Sequence, residues 1–191
     1  MAEPSTSPPS PWNIANALTI LRVVLVPLFG WLLLRHGGDD DASRVAAFVA
    51  FGVAMTTDRL DGDLARRRGL VTDFGKIADP IADKALTGMA FVGLSLLGEL
   101  PWWVTVIVLV REWGITVLRF AVIRYGVMAA NRGGKLKTVL QTLALGLYIL
   151  PLPGWFDPIE GTVMAAAVIV TVVTGVDYVL SAIRLRRSAT P

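Results

Sequence analysis

The sequence contains no cysteine, a single histidine and few charges. Of its 191 residues, 17% are Asp, Glu, Lys or Arg, against about 25% in an ordinary soluble domain. The absence of cysteine excludes disulfides, a thiolate zinc site and a cysteine nucleophile. The one histidine, His36, lies in a loop between apolar segments and reads as a solvated side chain. What the chain has in abundance is apolar surface: 54% of residues are hydrophobic, and the mean hydropathy is +0.61. The net charge is +3, so the basic groups need acidic partners. In a bilayer these are anionic lipid and phosphorylated substrates rather than nucleic acid.

The charges that are present separate six apolar segments, at about 18–34, 44–60, 79–98, 102–124, 137–152 and 162–182. Each is close to the ~20 residues a helix needs to cross ~30 Å of hydrocarbon. The pattern predicts an all-α integral membrane protein with six transmembrane helices, forming one domain over 11–191. Residues 1–10 are rich in Pro and Ser and predict a disordered tail. They carry no basic run before an apolar core, so no cleavable signal peptide is expected. Pro11-Trp12-Asn13 reads as a short interfacial lead-in anchored by Trp12. The fifth segment is the shortest and ends at the helix breakers Pro151-Leu152-Pro153-Gly154. Arg111, Glu112 and Arg119 interrupt the fourth, which fits a helix lining a polar cavity.

Loop charge orients the segments. Arg66, Arg67, Arg68 and Lys76 follow the second, and Arg124, Arg132, Lys135 and Lys137 follow the fourth. Arg184, Arg186 and Arg187 close the chain. The alternate loops carry Asp39-Asp40-Asp41, Glu99, and Asp157 with Glu160, of which the Asp39–Asp41 run, Asp157 and Glu160 read as solvated. The positive-inside rule places the basic set and both termini in the cytoplasm.

Two aspartate pairs stand out against this background. The run reads Asp58-x-x-Asp61-Gly62-x-x-Ala65-Arg66, then eight residues, then Gly75-x-x-x-Asp79-x-x-x-Asp83. On helices, spacings of three and four put both members of each pair on one face. The topology puts Asp58 and Asp61 at the cytoplasmic end of helix two, and Asp79 and Asp83 at the cytoplasmic start of helix three. Four clustered carboxylates repel one another and resist desolvation. Hard divalent cations compensate them, and Mg²⁺ favours carboxylates together with substrate phosphates. With helix three starting near 79, Pro80 would occupy its first turn, and the free N–H groups there would face phosphate. Gly62 and Gly75 leave room for close approach, and the planar fork of Arg66 suits phosphate.

This run resembles the signature of the CDP-alcohol phosphotransferases at all eight defining positions: Asp58, Asp61, Gly62, Ala65, Arg66, Gly75, Asp79 and Asp83. The resemblance implies six membrane helices, a site for two Mg²⁺ ions (Mn²⁺ being the other option), and a CDP-linked donor. It implies that Asp58, Asp61 and Asp79 hold metal, that Asp83 bridges metal or acts as base, and that Gly62, Ala65, Arg66 and Gly75 contact the CDP donor. Homodimers are the assembly it implies.

Four further runs are similar to one branch of that family. They are Asn13-Ile14-x-Asn16-x-Leu18-Thr19-x-x-Arg22, Arg111-Glu112 with Arg119, Gly134-Lys135-x-Lys137-Thr138-x-x-Gln141, and Tyr178-x-x-Ser181-Ala182. This branch transfers phosphatidyl from CDP-diacylglycerol to sn-glycerol 3-phosphate. The similarity implies a multi-pass protein of the bacterial cytoplasmic membrane, with its active site facing the cytoplasm.

The chemistry also follows from the residues. Attack of a hydroxyl on a diphosphate phosphorus needs neutralised oxygens, an aligned nucleophile and a place for its proton. An acceptor bearing its own phosphate needs separate cations, for which Arg111, Arg119, Lys135 and Lys137 are the candidates. Plainer readings remain beside these. Lys135, Lys137 and Arg119 fit snorkelling to headgroups, Arg111–Glu112 fits a structural pair, and Arg22 fits a headgroup anchor. Within the class, cardiolipin synthase and phosphatidylinositol phosphate synthase are the alternatives. Outside it, a cation-binding transporter is the competitor, although no internal repeat or midplane pair supports one.

Overall fold

A computed structural model describes residues 14–68, 73–122 and 132–188, with the side chains of 15, 58–68, 73–77, 132 and 188 outside that description. The tail, Trp12 and Arg124 therefore lie outside the described residues. Among those described, the regular structure is helical: α1 (Ile14–Leu34), α2 (Asp41–Arg68), α3 (Asp73–Leu96), α4 (Trp102–Val122), α5 (Arg132–Ile149) and α6 (Asp157–Ser188), with short 3-10 turns at Arg35–Gly38 and Gly154–Phe156. Two stretches, Asn16–Gly38 and Gly154–Arg187, are long and apolar enough to cross a membrane. The other helices carry internal charges or polar ends.

Five of the helices, all but α4, begin before their apolar segments, and α2 and α6 also end after them. α2 has 28 residues, about 42 Å at 1.5 Å per residue, which exceeds the ~30 Å hydrocarbon thickness. Hydropathy marks where a helix is desolvated, whereas backbone hydrogen bonding continues into water. One expectation is corrected by this. α3 begins at Asp73, so Asp79 and Pro80 lie inside the helix and not in its first turn. The free N–H groups of that helix end are therefore not at Asp79. Pro80 is instead an internal proline, which leaves the carbonyl four residues before it without its helical donor.

The chain divides into two compact units, Met1–Ala90 and Phe91–Pro191. In the first, α1 packs on α2. Ala47, Ala50 and Ala54 form a buried small-residue face on α2, of the kind that lets helices approach closely in lipid. Phe29 and Phe51 meet there with ring centroids 5.6 Å apart. α3 comes close to α1 at Gly30, where a Cβ would fall 2.8 Å from Met89 Sδ. The connection from α1 to α2 turns through His36, Gly37 and Gly38, all at positive φ. Asp40 then caps α2 by accepting from the Ser43 N–H (3.0 Å) and the Ser43 hydroxyl. The Ser43 hydroxyl and then the Ser43 N–H hold the Asp40 carboxyl below the usual carboxylate range. Asp40 is thus a helix cap and not simply a solvated loop charge.

In the second unit, α4 and α5 both pack on α6. α3 ends at Leu96, just before Gly98, whose φ of 79° admits the left-handed turn that stops a helix. Thr105 of α4 bonds to Ser95 (2.7 Å) and to the Phe91 carbonyl (3.1 Å) at the end of α3. Thr116, Thr138, Thr162, Thr171 and Thr174 donate to carbonyls one turn back, which satisfies their hydroxyls inside apolar helices.

Candidate active site

The acidic site is built on α3. Asp79 and Asp83 occupy adjacent turns of one helix and are both part-exposed. The Thr19 hydroxyl of α1 donates to Asp79 Oδ1 at 2.6 Å. Arg22 Nη1 lies 3.8 Å from the same oxygen, and the Arg22 side chain is fully buried. A headgroup anchor keeps its charge in water, so the anchoring role for Arg22 is overturned: it faces a carboxylate inside the unit.

Asp58, Asp61, Gly62, Ala65 and Arg66 fall on the helical backbone of α2, and Gly75 on that of α3. Their side chains lie outside the described residues. Among the described residues, no three His, Cys, Asp or Glu side chains gather as a metal site. The donors that are described fit a hard cation. Asp79 and Asp83 supply only oxygen, and His36 lies in the α1–α2 connection.

The basic candidates lie in the second unit, and three of the four belong to one polar network. Glu112 accepts from Arg111 Nη1 at 3.1 Å and from Lys137 Nζ at 2.5 Å. Arg111 also donates through Nη2 to Thr174 Oγ1 at 3.1 Å. Its guanidinium lies 5.7 Å from the Tyr178 ring centroid, and that of Arg119 lies 5.1 Å from it. Arg119 Nη2 also donates to the Tyr178 hydroxyl at 2.9 Å. One turn along α5 from Lys137, Gln141 donates to Thr171 of α6 at 2.9 Å. A glycine lets Arg111 cross α6, since a Cβ at Gly175 would sit 3.2 Å from Arg111 Cγ. Arg111 also edges an apolar groove of about 560 Å³ lined by Ile107, Val110, Ile115, Val172 and Val176.

The expected acceptor cations thus divide. Arg111 and Lys137 share one carboxylate, Arg119 is held by an aromatic ring, and Lys135 is exposed. Burial of Lys137 on Glu112 removes the snorkelling reading for it, while Lys135 retains that reading. The structural pair Arg111–Glu112 is real, and it is the centre of a larger network. Thr19, Thr174 and Gly175 had no assigned role in the sequence. The available signal was polar residues at helical spacing in apolar helices: Asn16, Thr19 and Arg22 on α1, and Thr171, Thr174 and Tyr178 on α6.

Comparison with known proteins follows the same lines. A family model described as CDP-alcohol phosphatidyltransferase matches residues 12–173. The chain is 56% identical over 172 residues to a protein of Mycobacterium tuberculosis H37Rv named probable phosphatidylglycerophosphate synthase, covering 90% of this chain and 82% of the other. It is 35% identical over 180 residues to the CDP-diacylglycerol–glycerol-3-phosphate 3-phosphatidyltransferase of Bacillus subtilis strain 168, covering 87% and 93%. It is also 35% identical to the CMP-forming cardiolipin synthase of Streptomyces coelicolor, but over only 114 residues, covering 60% and 53%.

Proposed function

The chain belongs to the CDP-alcohol phosphatidyltransferase family, and from that premise we propose that it is a membrane transferase of phospholipid biosynthesis. Its reaction moves phosphatidyl from CDP-diacylglycerol to sn-glycerol 3-phosphate and yields phosphatidylglycerophosphate and CMP. The observation that carries the acceptor is the extent of similarity. The two glycerol-3-phosphate relatives match along most of both chains, whereas the cardiolipin synthase matches little more than half.

In this reading a hydroxyl of glycerol 3-phosphate attacks the phosphorus that bears the diacylglycerol group. A new P–O bond forms, and the P–O bond to CMP breaks, with the electron pair leaving on CMP. Asp83 takes the hydroxyl proton as general base. Asp58, Asp61, Asp79 and Asp83 are the residues that would hold two Mg²⁺ or Mn²⁺ ions. When bound, these would neutralise the diphosphate oxygens and help the leaving group depart. Gly62, Ala65, Arg66 and Gly75 accommodate the CDP moiety. Arg111, Arg119, Lys135 and Lys137 are assigned to the acceptor's phosphate. Glu112 uses one donor each of Arg111 and Lys137, and guanidinium and ammonium groups have others to offer an anion.

The proposal includes six membrane spans with both termini cytoplasmic, the site on that face, and a homodimer. The test is purified protein given CDP-diacylglycerol with labelled glycerol 3-phosphate, inositol phosphate or phosphatidylglycerol in turn. CMP release with label incorporated from glycerol 3-phosphate supports the reading. Incorporation only from phosphatidylglycerol or inositol phosphate replaces the acceptor, and no CMP release with any of them removes the activity.

A further inference from the structure

One face of α1 is polar yet closed to solvent. Asn16, Thr19 and Arg22 recur every third residue on an otherwise apolar helix, and they are 4%, 1% and 0% exposed. Burying hydroxyl, amide and guanidinium groups is unfavourable unless something opposite takes their hydrogen bonds and charge. Within the first unit, part of that counterpart is Asp79. The Thr19 hydroxyl and Arg22 Nη1 both approach the same atom, Oδ1, at 2.6 and 3.8 Å. The other oxygen, Oδ2, has no hydrogen bond or ion pair among the described residues. The Asp79 side chain is 38% exposed, so it remains open to a ligand.

We propose that Thr19, reinforced by the charge of Arg22, is a positioning residue for the metal site: it holds Asp79 by Oδ1 and presents Oδ2 as the metal-binding oxygen. The inference rests on the reading of Asp79 as a metal ligand. A part-exposed carboxylate samples several rotamers, and a metal must immobilise it on binding. A hydrogen bond from a buried hydroxyl removes most of that freedom in advance, as outer groups around metal ligands commonly do. Thr19 suits the role because its own helix fixes it among buried neighbours. A hydroxyl that only docked α1 on α3 would affect stability and leave intrinsic metal affinity alone.

The experiment is titration of the purified full-length protein with Mn²⁺ in the absence of substrates. Bound and free ion are read by electron paramagnetic resonance, and melting is followed in parallel. Thr19→Val keeps the shape and removes the donor, and should weaken Mn²⁺ binding by about 10-fold or more. Thr19→Ser keeps the donor and should stay within about 3-fold of the wild type, given that a lost outer-sphere partner costs at least ~10-fold. If the valine protein is not recovered folded, Thr19→Ala is read against the same thresholds. Wild-type affinity in Thr19→Val, or equal loss in Thr19→Ser, overturns the proposal. Asp79→Asn separates this from failure of the parent reading. If Asp79→Asn binds Mn²⁺ as the wild type does, Asp79 is no ligand and both ideas fall. If it binds weakly while Thr19→Val binds normally, only the role of Thr19 falls.

Discussion

Lys137 of α5 and Arg111 of α4 meet at a single carboxylate, Glu112, which accepts a hydrogen bond from each. The three groups carry a net charge of +1 and are all largely withdrawn from solvent. The charge of Glu112 makes it feasible to keep two cations side by side in apolar surroundings. The cluster also retains one positive charge, as a site for an anionic substrate requires.

Removing that carboxylate should destabilise the second unit more than removing either cation. Glu112→Ala leaves Arg111 and Lys137 facing each other without a counter-charge, and breaking a buried pair in this way costs about 3 kcal/mol or more. Glu112→Gln keeps the volume and an acceptor, and should fall between the two. Thermal melts of the purified proteins check the order, and an alanine variant as stable as the wild type would contradict it.

The acceptor role predicts selective kinetics. A charge-assisted hydrogen bond is worth roughly 1.5–3 kcal/mol, so Lys137→Ala should lower kcat/KM for glycerol 3-phosphate by about 10- to 100-fold and leave the donor KM nearly unchanged. Lys135 is exposed and provides the discriminating case. If it contacts the acceptor, Lys135→Ala follows Lys137→Ala. If it only snorkels to headgroups, expression falls while the kinetics of the surviving protein stay normal.

How far the sequence was legible depended on the range of the interaction. Asp79 and Asp83 were legible because their four-residue spacing is a property of one helix. The bond from Thr19 to Asp79 was not, because it joins residues 60 apart and no local pattern encodes a pairing. The basic residues of α4 and α5 were legible as charges, yet the capture of Lys137 by a glutamate 25 residues earlier was not. Arg22 shows the same limit, since a lone arginine in an apolar helix reads the same whether it faces headgroups or a part-exposed carboxylate on another helix. The existence of the helices followed from hydropathy. Their ends did not, because the start of α3 at Asp73 is set by backbone hydrogen bonding through polar residues to which hydropathy is blind.

Metal dependence should be strict. The proposed donors are all carboxylate oxygens, a set that binds hard cations, so excess EDTA should abolish turnover and Mg²⁺ or Mn²⁺ should restore it. Asp83→Asn should reduce turnover to no more than a few per cent while donor binding falls only modestly, since the amide keeps the size and cannot take the proton. Substantial turnover in EDTA would remove the metal from the chemistry. Substantial turnover in Asp83→Asn would remove the base.

The cap on α2 gives a prediction about acid stability that is independent of the active site. Asp40 accepts from the Ser43 hydroxyl and N–H, and these two bonds hold its carboxyl below its ordinary value of 3.8. A carboxylate with a depressed folded-state pKa stabilises the protein at pH values above its unfolded pKa, and that contribution disappears as pH falls through the folded value. Asp40→Ala should therefore melt below the wild type at pH 7, where the ionised cap is present. The difference should shrink when both proteins are compared near pH 3, below the ordinary carboxylate value, where the unfolded chain has begun to bind the proton. Comparing the two proteins at each pH cancels the other carboxylates that titrate over the same range. Asp40→Asn is the control, because asparagine caps a helix without titrating. Its melting temperature relative to Asp40→Ala should change little between the two pH values. A wild-type advantage over Asp40→Ala of the same size at pH 3 and pH 7 would mean that the ionised carboxylate is not what holds the start of α2.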